Sequence, residues 1–142
     1  MKLKRLAVTG LVTGICDGLF ATVQSVITSG NPQRVWQGVA SVLLGPTAMT
    51  GGMKTTLIGL LMHFCVAYFW SAVFIFVVMR FWARPPWTFA IIYGPFIWLV
   101  MSLGVIPLLV HHPPSITPRW WVQLVGHIIF VGLPIVVTAT RE

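Results

Sequence analysis

Residues 51–79 read GGMKTTLIGLLMHFCVAYFWSAVFIFVVM, and this stretch decides the fold class of the chain. After Lys54 it carries no charged residue, and an apolar run of about 20 residues is long enough to cross a bilayer as a helix. His63 lies about two turns inside the run, where a polar side chain is costly unless it has a partner. The stretch therefore predicts a membrane-spanning helix with a functional or packing site at His63.

The composition of the whole chain excludes an ordinary soluble domain. Of 142 residues, 57% are hydrophobic and only 8% are charged, and the mean hydropathy is +0.91. Two acids, Asp17 and Glu142, stand against nine lysines and arginines. These cations lie at the ends of the apolar runs, as membrane anchors do, rather than in one cluster as in a nucleic-acid-binding protein. The predicted partner is therefore the lipid bilayer and not nucleic acid.

Three more apolar runs accompany the first. The N-terminal run resembles a signal peptide but lacks a small-x-small cleavage site, so we expect it to be retained as a helix. Pro95 and Pro107 should bend the third span. The sequence predicts an all-α integral membrane protein, an up-down four-helix bundle forming a single domain over residues 1–142. The predicted spans are residues 6–29, 55–79, 87–110 and 120–140.

A shorter amphipathic segment, residues 32–44, follows Asn31-Pro32, a sequence typical of a helix start. It is too short to span a membrane. Two interpretations remain open: a helix lying flat in the interface, or a re-entrant half-helix buried against the bundle. The predicted apolar face holds Val35, Trp36, Val39, Val42 and Leu43, and the predicted polar face holds Gln33, Arg34, Gln37 and Ser41.

The distribution of cations predicts the orientation of the chain. With four crossings, both termini share one side of the membrane with Lys2, Lys4, Arg5, Arg80, Arg84 and Arg141. The other side holds Arg34, Lys54 and Arg119. Because cytoplasmic loops carry the excess of lysine and arginine, both termini are predicted to be cytoplasmic.

Polar residues inside the predicted spans form the candidate site. His63 and His127 each lie about 12 Å inside the outer boundary, on helices that run in the same direction. Asp17 lies about one turn deeper on the first helix. Gln24 and Gln123 belong to the same polar set. Small residues on the same faces predict close helix packing, at Gly10, Gly14, Gly18 and Gly59.

Three interpretations of this set stay open. The side chains could form interhelical hydrogen bonds, each worth about 0.6–2 kcal/mol. His63 and His127 could be axial ligands of a b-type haem in an electron-transfer bundle. Asp17 and the two histidines could form a proton or ion pathway. A zinc or copper site is disfavoured because Asp17 lies too deep to be a third ligand.

Enzyme chemistry finds no support in the sequence. There is no phosphate-binding glycine loop and no HExxH or GxSxG motif. Cys16 and Cys65 lie in apolar runs and form neither a CxxC pair nor a disulfide framework of the secreted type. We therefore expect a non-enzymatic protein with two buried free thiols.

Three segments resemble a known family. They are Gly14-x-x-Asp17, GGMKTTLIGLLMHF at residues 51–64, and GHIIFVGLPI at residues 126–135. They are similar to small four-helix bacterial inner-membrane proteins, loosely of the YagU type. The resemblance implies a bacterial inner membrane and four helices, and it carries no activity.

The function predicted from the sequence is that of an accessory subunit. Small-residue stripes and seven tryptophans suggest a chain that packs against other helices. We expect an accessory or assembly subunit of a larger membrane complex, or a homo-oligomer. The haem-binding bundle and the proton- or ion-conducting bundle are the alternatives.

Overall fold

The structure is a computed structural model that describes residues 2–82 and 85–141. Four of its helices are long and apolar enough to cross a membrane, which makes the chain a multi-pass membrane protein. A shorter helix and a 3₁₀ turn, Pro46–Thr50, lie between the first two spans. The helices are α1 (Lys2–Ser29), α2 (Gln33–Leu44), α3 (Gly52–Phe81), α4 (Trp87–Val110) and α5 (Pro118–Thr140).

The predicted all-α bundle is confirmed. The spanning helices continue beyond the predicted apolar runs, because helical hydrogen bonding does not end where the hydrocarbon does. α1 begins at Lys2 rather than residue 6, and α3 covers Gly52–Phe81 rather than residues 55–79. Arg84, which was assigned to the end of the bundle with the termini, lies outside the described residues, as does Glu142.

Neighbouring spans run in opposite directions, and the order around the bundle is α3, α1, α5, α4. α1 packs along both α3 and α5, and α4 packs along α5. The Thr138 hydroxyl donates to the Thr9 hydroxyl at 3.0 Å, joining the end of α5 to the beginning of α1. The beginning of α1 and the end of α5 therefore lie at the same end of the bundle. In this order α3 and α5 are diagonal to each other.

The half of the bundle near the termini is filled; we call it the closed half. The Tyr93 hydroxyl donates to the Trp70 carbonyl at 2.8 Å, joining α4 to α3. Phe74 and Ile135 are completely buried there. Side chains packed in this way fill the interior of the closed half. The buried core of the closed half consists of Trp70, Phe74, Ile75, Ala90, Tyr93, Ile97, Val131, Ile135, Val136 and Ala139.

Glycines allow the helices to approach closely. The faces of Gly10 and Gly14 on α1 are covered by the rings of Tyr68 and Phe64 on α3. Gly18 lies beside His63 and Trp36. These three glycines of α1 therefore pack against side chains of the same chain.

Two more glycines, which the sequence analysis did not select, join α4 to α5. A Cβ on Gly94 would overlap the backbone of His127, and a Cβ on Gly132 would overlap the backbone of Ala90. Close backbone approach of this kind is how membrane helices gain packing energy without a hydrophobic driving force. The α4–α5 contact therefore depends on these glycines.

α2 packs against α3. Its buried residues are Trp36, Gln37 and Ala40, and the Trp36 backbone touches Gly59. Gly59 lies seven residues into α3, about 10 Å from its beginning, so the contact favours the re-entrant interpretation. Placing Gln37 on the polar outer face was wrong. Gln37 is 6% exposed because α2 turns it toward α3, where its side-chain amide donates to the Gly52 carbonyl at 3.4 Å.

Two of the three π-helical turns in the described residues lie just before a proline. Val100–Val105 ends two residues before Pro107, and Ile128–Gly132 ends two residues before Pro134, whereas Phe74–Val78 in α3 contains no proline. Proline leaves the carbonyl four residues earlier without a donor, and a π turn changes which groups pair there. In the third span the irregular geometry thus occurs before Pro107, while Pro95 lies inside the regular α-helical stretch Ala90–Leu99.

A candidate binding site in the open half of the bundle

A cavity of about 1040 Å³ occupies the other half of the bundle, and all five helices line it. We call it the lateral cavity. α3 and α4 make few direct contacts with each other, and α2 contacts both of them at the end of the bundle away from the termini. Cavity-lining residues of α3 and α4 are also exposed at the surface, including Leu61 at 66% and Leu109 at 48%, so the cavity is open on the side between these two helices. The opening faces the region that lipid chains occupy around a spanning helix.

One wall of the lateral cavity is polar. It is built from two ladders of residues spaced four apart, which places each ladder on one face of its helix. Gln24 on α1 accepts a hydrogen bond from Gln123 on α5, which ties the two helices together. We call this surface the polar wall. Its α1 ladder is Thr13, Asp17, Ala21, Ser25 and Ser29, and its α5 ladder begins with Arg119, Gln123 and His127.

The remaining walls are mainly apolar. α2 contributes a row of valines together with Trp36, α3 contributes Met62 and Val66, and α4 contributes Trp98 and Met101. The cavity is therefore amphipathic in cross-section, polar along the α1–α5 seam and apolar on the sides nearest the opening. A surface of this kind accommodates a ligand that is itself partly polar and partly apolar.

His63 reaches the polar wall from α3. Its Nε2 lies 2.9 Å from the Gly14 carbonyl oxygen, and its Nδ1 lies 3.9 Å from Asp17 Oδ2. Side-chain exposure is only 12% for His63 and 17% for Asp17. Trp36 contacts the same ring edge-on, with ring centroids 5.1 Å apart. The structure thus brings His63 together with Asp17, as a group inside the bundle requires.

The hydrogen bond to Gly14 determines which nitrogen of His63 carries a proton. A carbonyl oxygen can only accept, so Nε2 must be the donor. Nδ1 then faces the Asp17 carboxyl group at 3.9 Å, which is beyond hydrogen-bond distance.

His127 lies on the polar wall, diagonally across the bundle from the helix that carries His63. It is 8% exposed, and its Nδ1 is 2.8 Å from the Gln123 carbonyl oxygen. Because the carbonyl accepts, Nδ1 carries the proton and Nε2 is left as an acceptor when the ring is neutral. Nε2 makes no hydrogen bond within the described residues. The Trp98 ring covers one side of the imidazole, with ring centroids 4.8 Å apart.

The histidine geometry does not favour haem ligation. Both rings line the lateral cavity, but an axial ligand needs a nitrogen lone pair that faces the iron. The Nε2 of His63 donates to the Gly14 carbonyl, and its Nδ1 faces the Asp17 carboxyl group at 3.9 Å. No group of three metal-ligating side chains occurs in the described part of the chain. A continuous proton path also lacks support, because the closed half is filled by residues such as Phe74 and Ile135.

Four buried polar atoms of the lining residues have no hydrogen-bond partner within residues 2–82 and 85–141. They are Thr13 Oγ1, Asp17 Oδ1, Trp70 Nε1 and Trp98 Nε1. Buried polar groups are nearly always paired, so their concentration around one cavity marks that cavity as a polar binding region. Sequence reasoning missed Thr13 and Trp98. Thr13 could have been found from its spacing, because Thr13, Asp17 and Ser25 are separated by multiples of four residues and so share one helix face.

Comparison of the chain with protein-family models, with curated proteins and with solved structures gave no match.

Proposed function

We propose that the protein binds an amphipathic molecule of the membrane in the lateral cavity. The observation that carries the proposal is the shape and polarity of that cavity: a polar α1–α5 wall, apolar sides, and an opening between α3 and α4. The ligand enters from the bilayer through this opening. Its polar group lies against the polar wall, and its apolar part contacts α2, α3 and α4.

The size and polarity of the cavity both favour an amphipathic ligand. Small-molecule pockets typically measure about 300–1,000 Å³, and a volume of about 1040 Å³ lies at the upper end of this range. A bare ion needs far less space and a closer set of ligands. A polar wall facing hydrocarbon is costly unless something pairs with it. A ligand with one polar face meets both conditions.

The proposal is tested by narrowing the cavity at Gly38. This glycine lines the cavity, and a Cβ placed on it meets no atom within 4 Å. Gly38→Trp should therefore enter the cavity without disturbing α2. The wild-type chain, purified in a mild detergent, should retain a stoichiometric amphiphile detectable by mass spectrometry of the organic extract. In Gly38→Trp the retained amount should fall about tenfold, the effect of about 1.4 kcal/mol.

Gly104→Trp is the matched control. A Cβ on Gly104 also meets nothing within 4 Å, but this glycine does not line the cavity. Both changes replace a helical glycine and both add an indole. Equal retention by the two variants, or no amphiphile in the wild-type extract, would refute the proposed function.

The accessory-subunit and homo-oligomer prediction stays a prediction. Its main argument was the small-residue stripe, and the residues Gly10, Gly14 and Gly18 contact side chains of the same chain. A binding protein with an internal stripe needs no partner to bury it.

The proposed location is a bacterial inner membrane with both termini in the cytoplasm. The family resemblance supports it, and so does the excess of cations at the beginning of α1 and the end of α5. Alkaline phosphatase fused at the C-terminus should be inactive, because its disulfides do not form in the cytoplasm. A fusion after Ser115, in the loop at the opposite end, should be active. The reverse pattern would contradict the orientation.

A further inference from the structure

Two arginines mark the outer end of the lateral cavity. Arg34 comes from the beginning of α2 and Arg119 from the beginning of α5, and both line the cavity. The acid within the described residues, Asp17, is engaged with His63. Neither arginine has an ion-pair partner in that part of the chain. The mouth of the cavity is therefore positively charged.

The charge is separated from the deeper polar groups. Arg119 lies eight residues before His127 on the same face of α5, a distance of about 12 Å along the helix. Arg34 approaches from the facing helix α2. A ligand that spans this distance contacts the cations at one end and the His127–Asp17 region at the other. The arginines and the histidines therefore line the cavity at different depths.

We propose that the ligand of the lateral cavity has an anionic head group, a phosphate or carboxylate, held between Arg34 and Arg119. This inference rests on the proposed function and specifies its ligand class. Guanidinium groups bind phosphate and carboxylate oxygens in a bidentate manner, and such charge-assisted hydrogen bonds are about twice as strong as neutral ones. The apolar chain of the ligand extends from the head group between α3 and α4.

Native mass spectrometry with two lipids of equal chain length tests the inference. Dioleoyl phosphatidylglycerol carries a net negative charge, and dioleoyl phosphatidylcholine does not. The wild-type chain should bind the anionic lipid about tenfold more tightly, which corresponds to about 1.4 kcal/mol. Arg34→Gln with Arg119→Gln should abolish this preference while leaving binding of phosphatidylcholine unchanged.

Lys54→Gln is the matched control for charge. Lys54 is an exposed cation at the same end of the bundle, but it does not line the cavity. Its removal should leave the preference intact. If Lys54→Gln reduces the preference as much as the double arginine variant, the effect is general surface charge and the inference fails.

Further outcomes separate the inference from the proposed function. Equal binding of the two lipids by the wild-type chain, with both bindings reduced by Gly38→Trp, overturns the anionic head group and leaves the binding function standing. Binding that is insensitive to Gly38→Trp overturns both. Displacement of phosphatidylglycerol by inorganic phosphate would assign the arginines to a free anion, and this too would overturn a lipid head group.

Discussion

Replacing Gly59 with alanine is expected to separate α2 from α3 and to lower the melting temperature of the detergent-solubilised protein by about 5–10 °C. A Cβ on Gly59 would overlap the backbone carbonyl of Trp36. A backbone atom cannot rotate away as a side chain can, so the helix must move as a unit. Overpacking of this kind costs about 1–3 kcal/mol, and the temperature shift follows from that cost.

The same change should reduce binding. Trp36 and the valines of α2 form one wall of the lateral cavity, and the Trp36 ring contacts His63. Displacement of α2 removes this wall and widens the opening. The amount of amphiphile retained on purification should fall together with the melting temperature.

Gly104→Ala provides the comparison for Gly59→Ala. It makes the same chemical change in a spanning helix where the added methyl group meets no atom within 4 Å. Alanine is also the better helix former by about 1 kcal/mol, so this variant should melt at or above the wild-type temperature. If the two variants melt alike, the α2–α3 contact does not depend on Gly59.

The second large effect is expected from His63→Phe. This substitution keeps an aromatic ring beside Trp36 and Phe64 but removes the hydrogen bond to Gly14 and the partner of Asp17. Leaving a buried polar group without its partner costs about 1–3 kcal/mol, and the substitution does this both to the Gly14 carbonyl and to the Asp17 carboxyl group. The variant should be markedly less stable to heat or denaturant than the wild type.

Asp17→Asn tests whether the loss arises from the unpaired carboxyl group. On its own it should be mild, because His63 keeps its bond to the Gly14 carbonyl. In the His63→Phe background it should restore part of the lost stability, giving a coupling energy of about 1–3 kcal/mol in a double-mutant cycle. Strictly additive effects would mean that the two side chains do not interact, despite the 3.9 Å separation.

Several features of this arrangement could be foreseen from the residues alone. The uncharged run after Lys54 is too long and too apolar for anything but a spanning helix, and three similar runs followed from the same argument. His63 and Asp17 were assigned to one polar set because a membrane interior forces polar groups to pair. The two side chains come close together once α1 and α3 pack against each other, as they do in the structure.

Other features could not be foreseen, because they depend on the rotation of each helix about its axis. The sequence placed Gln24 in one polar set with Asp17. In the structure the face of α1 that lines the cavity runs through Asp17, Ala21 and Ser25, and Gln24 lies beside this face, where it accepts a hydrogen bond from Gln123. The misplacement of Gln37 has the same origin. Successive residues of a helix lie about 100° apart around its axis. On a short amphipathic helix, an error of one residue in the assigned face therefore decides whether a side chain is predicted to be buried.

The sequence by itself determined the class of the protein: four spanning helices, a short amphipathic helix, and a polar set centred on Asp17, His63 and His127. Hydrocarbon permits few backbone conformations, so hydropathy alone is sufficient for that much. Only the tertiary structure decided that one half of the bundle is packed and the other encloses a cavity. Whether α3 and α4 pack together or separate depends on contacts between residues that are distant in the sequence. In the closed half one such contact is the hydrogen bond from the Tyr93 hydroxyl to the Trp70 carbonyl.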